Sequence, residues 1–158
     1  MSQAISDYGT LLKRENDPVG TGTYSVLAEI LKIEPPELSN PMVEVTHHSS
    51  GGYKEKIPGT VKEVGEVKVT VNWLATGTAS TTAYATLFQN DLVSSTARDY
   101  QIDFPVSPTT PTGTYSPSTW QFEAYVSKVK PAAIDSQKQQ SLQCEITLSP
   151  TGSLILVP

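Results

Sequence analysis

The residues best suited to chemistry lie in one short run, His47-His48-Ser49-Ser50-Gly51-Gly52. A histidine pair could begin a metal site, and a histidine beside serines and glycines could begin a nucleophile and base. Neither is completed. Adjacent residues on an extended chain point to opposite faces, so His47 and His48 cannot conveniently share one ion. No cysteine, third histidine or nearby aspartate fills out a tetrahedral set. The nucleophile-elbow pattern G-x-S-x-G is absent, and no acid at a recognisable position orients the imidazole. Gly51-Gly52 lacks the glycine spacing and lysine of a phosphate-binding loop. The run reads as partly exposed loop.

The carboxylates give no acid–base pair either. Glu29, Glu44, Glu55, Glu63, Glu66, Asp91, Asp103, Glu123 and Glu145 are scattered singly, and most alternate with apolar residues. That alternation marks the wetted face of a sheet. The one cysteine, Cys144, allows no internal disulfide and no CxxC knuckle. It sits in the alternating series Leu142, Cys144, Ile146, Leu148, as a buried apolar thiol would. The expectation is a protein that is not an enzyme and carries no cofactor and no metal.

Eleven Lys plus Arg against sixteen Asp plus Glu leave a net charge of -5. Nucleic acid and anionic lipid both demand clustered positive charge, so neither is an expected partner. No apolar run approaches the ~18–20 residues of a membrane span. The start, MSQAISDYGTLLKREND, lacks the apolar core of a secretory signal. A reducing cytoplasm suits such a chain, and 158 residues fit one domain over 1–158.

The stretch that must position everything else runs from Met42 to Trp73. In Glu66–Trp73, Val67, Val69, Val71 and Trp73 alternate with Glu66, Lys68, Thr70 and Asn72, giving a strand with one buried face. Met42–Thr46 reads as a short preceding strand with Val43 and Val45 on one face. The connection between them is far longer than an ordinary hairpin loop, and loops of that length inside compact domains are functional or disordered. It carries Tyr53, Lys54, Glu55, Lys56, Ile57, Lys62 and Glu63, charges of alternating sign around two apolar anchors. Such a mixture suits a register-defining protein contact, and a solvated loop has the same composition.

Elsewhere the pattern is mostly period two. Residues 1–23 show little periodicity and end in turn chemistry, as an extended N-terminal arm or a frayed terminus would. Tyr24–Ile33 is assigned to a strand on β-branched content. Tyr84, Leu87, Phe88, Asp91 and Leu92 mark an apolar stripe, interrupted by Asp91, on a helix over 79–95. Tyr100–Val106, Thr119–Val129 and Leu142–Leu148 alternate as strands, Ser149-Pro150-Thr151-Gly152 reads as a turn, and Ser153–Val157 as a last strand. Strands and helices do not alternate along the chain. The expected class is therefore mainly β, an antiparallel sandwich or barrel with one flanking α-helix.

The long connection also resembles a known family, the tail tube (major tail) proteins of long, non-contractile bacteriophage tails. The resemblance is carried by Val43-Glu44-Val45-Thr46-His47 running into Ser50-Gly51-Gly52-Tyr53-Lys54-Glu55-Lys56-Ile57-Pro58-Gly59, then Gly65-Glu66-Val67. It implies six-membered rings that close a continuous inner β-barrel and stack into a tube around a tape-measure protein, with tail terminator and tail-tip proteins at the ends. Phage DNA would pass through the lumen without specific binding. The protein would reside in the virion tail after assembly in the host cytoplasm. The loop over 41–66 would reach the next ring, making His47, His48, Tyr53, Lys54, Glu55, Lys56, Ile57, Lys62 and Glu63 the inter-subunit contact residues. Ser50 and Thr60 depart from the family pattern.

Two other readings fit the same sequence. A ligand- or carbohydrate-binding β-sandwich would use Tyr115, Trp120 and Tyr125 as a stacking surface, although Trp120 shares its parity with the core residues Phe122 and Val126. A related ring protein, such as a tail completion factor or a secretion-system tube, is the other.

Overall fold

The computed structural model describes residues 9–16, 19–27, 30–49, 51–72, 85–105, 118–133 and 143–157. The strands are β1 (Leu11–Glu15), β2 (Tyr24–Val26), β3 (Ile30–Glu34), β4 (Leu38–Ser39), β5 (Met42–Glu44), β6 (Lys56–Pro58), β7 (Glu63–Val64), β8 (Val67–Asn72), β9 (Arg98–Asp103), β10 (Thr119–Pro131) and β11 (Gln143–Val157). Among the described residues one helical segment, Ala85–Leu92, precedes β9. The fold is mainly antiparallel β, as the alternation requires.

Seven strands form the main sheet in the order β2-β1-β9-β10-β11-β8-β3. Its end strands, β2 and β3, are consecutive in the chain. From Val26 to Ile30 the backbone can span no more than about 14 Å, so the two edges of the sheet must approach each other. The sheet is therefore curled towards a barrel, and the bond from Leu27 N–H to the Leu12 carbonyl fixes the turn inside it. Alternation decides what the curl encloses. Leu12, Tyr100, Ile102, Phe122, Ala124, Cys144, Ile146, Leu148, Val67, Val69 and Val71 all lose essentially their whole surface to water. Each valine, leucine and isoleucine of this set contributes roughly 1.5–3 kcal/mol of burial.

Four expectations change in the folded chain. The stretch taken as an extended arm over 1–23 contains β1, which pairs with β9 and β2 inside the sheet. Its Leu12-Lys13-Arg14 pattern hides a strand because the buried residue after Leu12 is an arginine. The run Tyr24–Ile33 splits into β2 and β3 on opposite edges. Met42–Thr46 does not pair with the Val67 strand; β8 lies between β11 and β3, and β5 pairs with β6 instead. Finally, Pro150-Thr151-Gly152 lies within β11, with Pro150 opposite Ala124. Pro150 is tolerated there because the pairing of β11 with β8 ends at Leu148 opposite Val67, leaving β10 as the partner strand on one side. Gly152 takes φ 82° where β11 bulges against β10 between Gln121 and Glu123, a conformation an L side chain resists.

Within the span read as a helix, residues 85–92 form one that is wound wider than an α-helix. It packs against β10 and buries Leu87 and Asp91.

Candidate functional site

β4 to β7 leave the main sheet as one long ribbon. At its base Leu38 and Ser39 pair with Val64 and Glu63, and further out Met42, Val43 and Glu44 pair with Pro58, Ile57 and Lys56. Beyond these strands Val45 N–H donates to the Glu55 carbonyl, extending the pairing towards the tip. Two glycines let the ribbon leave the body. Gly59 N–H bonds the Pro41 carbonyl at 2.7 Å, and a Cβ on Gly59 would stand 2.8 Å from that oxygen. Gly65 N–H bonds the Glu37 carbonyl at 2.7 Å, with the Glu37 backbone 3.2 Å from where a Cβ would be. The glycines of the Ile-Pro-Gly and Gly-Glu-Val motifs are thus required by close backbone approach. At the tip Gly51 and Gly52 both have positive φ, at 62° and 84°.

Cross-strand partners share a face, so the register sorts the arm's side chains. Val43 stands opposite Ile57, and Val45 follows on the same face. Glu44 stands opposite Lys56 on the other face. There Lys54 Nζ reaches Glu44 at 3.4 Å, and Thr46 Oγ1 donates to Glu44 at 3.2 Å. On the first face His47 Nε2 lies 3.6 Å from Glu55, while Ser49 Oγ and His47 Nδ1 share a 2.8 Å hydrogen bond. This trio clasps the ribbon across its width. All three groups are exposed, and pairs of that kind add little to stability.

The arm is therefore an amphipathic ribbon with water on both sides. Its apolar face is uncovered: Val43 is 50% exposed and Ile57 50%, while Tyr53 at 81% stands free near the tip. Of the nine residues expected at a contact, His47, Lys54, Glu55, Lys56 and Ile57 are brought together on paired strands or the tip. His48 and Tyr53 lie exposed at the tip, and Lys62 and Glu63 lie exposed at the base. A two-stranded ribbon is marginal alone in water, and contiguous exposed apolar surface marks an interaction site.

A second constellation escaped the sequence reading. Asp91, 1% exposed, accepts from Arg14 Nε at 2.7 Å, Arg14 Nη2 at 2.5 Å and the Tyr100 hydroxyl at 2.7 Å, and Arg98 Nε stands 3.8 Å away. Burial and the Asp91 charge push the Tyr100 phenol well above its ordinary pKa of 10.0. The signal was Asp91 itself: a carboxylate on the apolar stripe of a helix demands a buried cation. The cluster ties the helix to β1 and β9, fixing the body that carries the arm. Among the described residues, no three His, Cys, Asp or Glu side chains are grouped to hold a metal ion.

No protein-family model and no curated protein matches this chain. Solved structures do match in fold. A chain in the tail of an empty gene transfer agent particle, refined with six-fold symmetry, superposes with a TM-score of 0.69 at 15% identity, over 98% of this chain and 100% of that one. A chain of the six-fold symmetrised anti-feeding prophage baseplate gives 0.69 at 10% identity, over 99% and 97%. The SPP1 tail tube gives 0.65 at 12% identity, over 97% of this chain and 78% of that one. At these identities the likeness is one of architecture, and it extends over nearly the whole chain. In fold, this is a tail-tube-like protein.

Proposed function

We propose that the chain is a structural tube protein whose copies join into rings, six to a ring, and whose rings stack because the arm of each copy grips the next ring. The observation that carries this reading is the arm's uncovered Val43, Val45 and Ile57 face, set on a ribbon that its own chain does not shelter among the described residues. Stacking of this kind is a head-to-tail contact, which propagates without closing and yields a filament. The six-fold symmetry of two structural neighbours supports the ring number. In a tail the tube would enclose a tape-measure protein and later conduct DNA, with terminator and tip proteins at its ends. A net charge of -5 would let phosphates slide past. The location is then the tail of a phage or phage-like particle, reached after assembly in the host cytoplasm, and no catalysis is involved.

The narrower assignment to non-contractile phage tails rests on the order Gly-Tyr, Ile-Pro-Gly, Gly-Glu-Val. The structural neighbours also include a sheath–tube complex of a contractile injection system, so the presence or absence of a sheath gene partner separates the two. A carbohydrate-binding role is less well supported, because Trp120 is half-buried and meets Phe104 edge-to-face at 5.3 Å. Negative-stain images of the concentrated protein test the reading: hollow tubes support it, and a monodisperse monomer at all concentrations rejects it.

A further inference from the structure

Glu15 ends β1 on the face of the sheet opposite to Arg14, and it is only 2% exposed. Its Oε1 accepts from the backbone N–H of Gly20 at 2.8 Å and from that of Gly22 at 3.1 Å. Both glycines take positive φ, 89° and 66°, which turns the loop after β1 back over the carboxylate. The other oxygen, Oε2, is enclosed and meets no hydrogen-bond donor among the described residues. A buried carboxylate oxygen with neither donor nor cation is costly, and its presence calls for a partner.

The neighbouring strands add negative charge beside it. Leu11 stands opposite Asp103 and Arg14 opposite Tyr100, so the next step of the register sets Glu15 beside Asp99 on β9. Tyr24 stands opposite Glu15 on the other side. Its phenol donates to Asp99 and accepts from Gln121 Nε2 at 2.8 Å, which lays the side chain from β2 across β1 and β9 towards β10. Burial raises the Tyr24 pKa most, followed by the Asp99 charge and then the Glu15 charge, so both carboxylates approach one phenol. Glu123, opposite Asp99 on β10, is exposed and extends the acidic row. Like charges side by side across strands disfavour pairing. The nearby cations are engaged elsewhere: Arg14 and Arg98 face Asp91 on the core side, and Lys13 bonds Asp103 at 2.5 Å.

We propose that Glu15 Oε2 and the Asp99 carboxylate together bind one hard divalent cation, calcium by preference, beneath the Tyr24 side chain. The ligands are all oxygens, and calcium accepts an irregular oxygen set completed by water where magnesium demands an octahedron. No third His, Cys, Asp or Glu closes on the pair among the described residues. The affinity therefore belongs with the weak calcium sites, on the order of 10⁻⁴–10⁻³ M. The ion fastens the Gly20–Gly22 loop and β1 to β9, and it does so whether or not copies assemble into rings.

The test is a calcium chloride titration of the full chain after treatment with EDTA, read by melting temperature and by terbium luminescence excited through tyrosine, with Tyr24 as the donor beside the site. The wild-type melting temperature should rise with calcium, and tyrosine-sensitised terbium emission should appear and be displaced by calcium. Glu15→Gln and Asp99→Asn should each abolish both responses. Glu145→Gln, on β11 away from the site, should keep them. Should Glu15→Gln fail to fold, Asp99→Asn at its half-buried position carries the same readout. A wild type whose melting temperature ignores calcium would overturn the inference, as would a full calcium response in Asp99→Asn. A wild type indifferent to calcium but stabilised as pH falls through the carboxylate range would also overturn it, and would assign a proton shared between Glu15 and Asp99 instead.

Discussion

Arg14 holds Asp91 with both limbs of its guanidinium, Nε to Oδ2 at 2.7 Å and Nη2 to Oδ1 at 2.5 Å, although 77 positions separate them in the chain. Both are buried, at 6% and 1% exposure. Removing one member of such a pair strands the other charge away from water. Asp91→Ala should cost about 3–5 kcal/mol of unfolding free energy, read from the shift in urea midpoint. A loss under about 1 kcal/mol would mean that Arg14 finds another partner or water.

Tyr100 donates to the same carboxylate, and its raised pKa sets a sign for alkaline stability. The unfolded chain releases the phenolic proton near pH 10, while the folded chain keeps it. The contribution is whole below that pH and is lost as pH rises beyond it, by up to about 1.4 kcal/mol per pH unit for one group. Tyr24 is raised as well, through burial and then Asp99, and adds in the same direction. Denaturant melts between pH 9 and pH 11 should show wild-type stability falling. Tyr100→Phe should flatten that fall, and equal slopes in the two proteins would contradict the assignment.

Val69 has no exposed surface and lies on β8 between β3 and β11. Val69→Asp places an unpaired carboxylate in the core, at a cost of several kcal/mol. The variant should be insoluble or unfolded by circular dichroism. A normal melting temperature would show that the strand's buried face has been assigned the wrong way round.

Gly59 makes a different prediction, because it sits at the base of the arm and outside the core. A side chain there collides with the Pro41 carbonyl, so Gly59→Val should splay the ribbon while leaving the melting temperature within a few degrees. Turbidity growth curves should show slowed polymerisation. Unchanged growth would mean that the crossing at Pro41 does not set the arm's direction.

The body was legible where one face is buried and one wetted. β8, the first half of β10 and the first half of β11 follow directly from Val67–Val71, Phe122–Val126 and Cys144–Leu148, since period two is the geometry of a strand. β1 was not legible, because its inward position after Leu12 is Arg14, whose charge is answered only by Asp91 far along the chain. The split between β2 and β3 depends on the curl of the whole sheet, which no local pattern encodes. The arm's composition pointed to a contact, yet its internal pairing of Val43 with Ile57 came only from the register. Pro150 and Gly152 read as a turn because their chemistry suits one; a bulge uses the same residues.

Deletion of residues 49–58 from the arm bears most directly on the central claim. Wild type and deletion should be imaged side by side by negative stain at equal concentration, with circular dichroism as the check on folding. The deletion protein should fold and form isolated rings or short oligomers and no tubes. Tubes of normal length from that protein would contradict the claim.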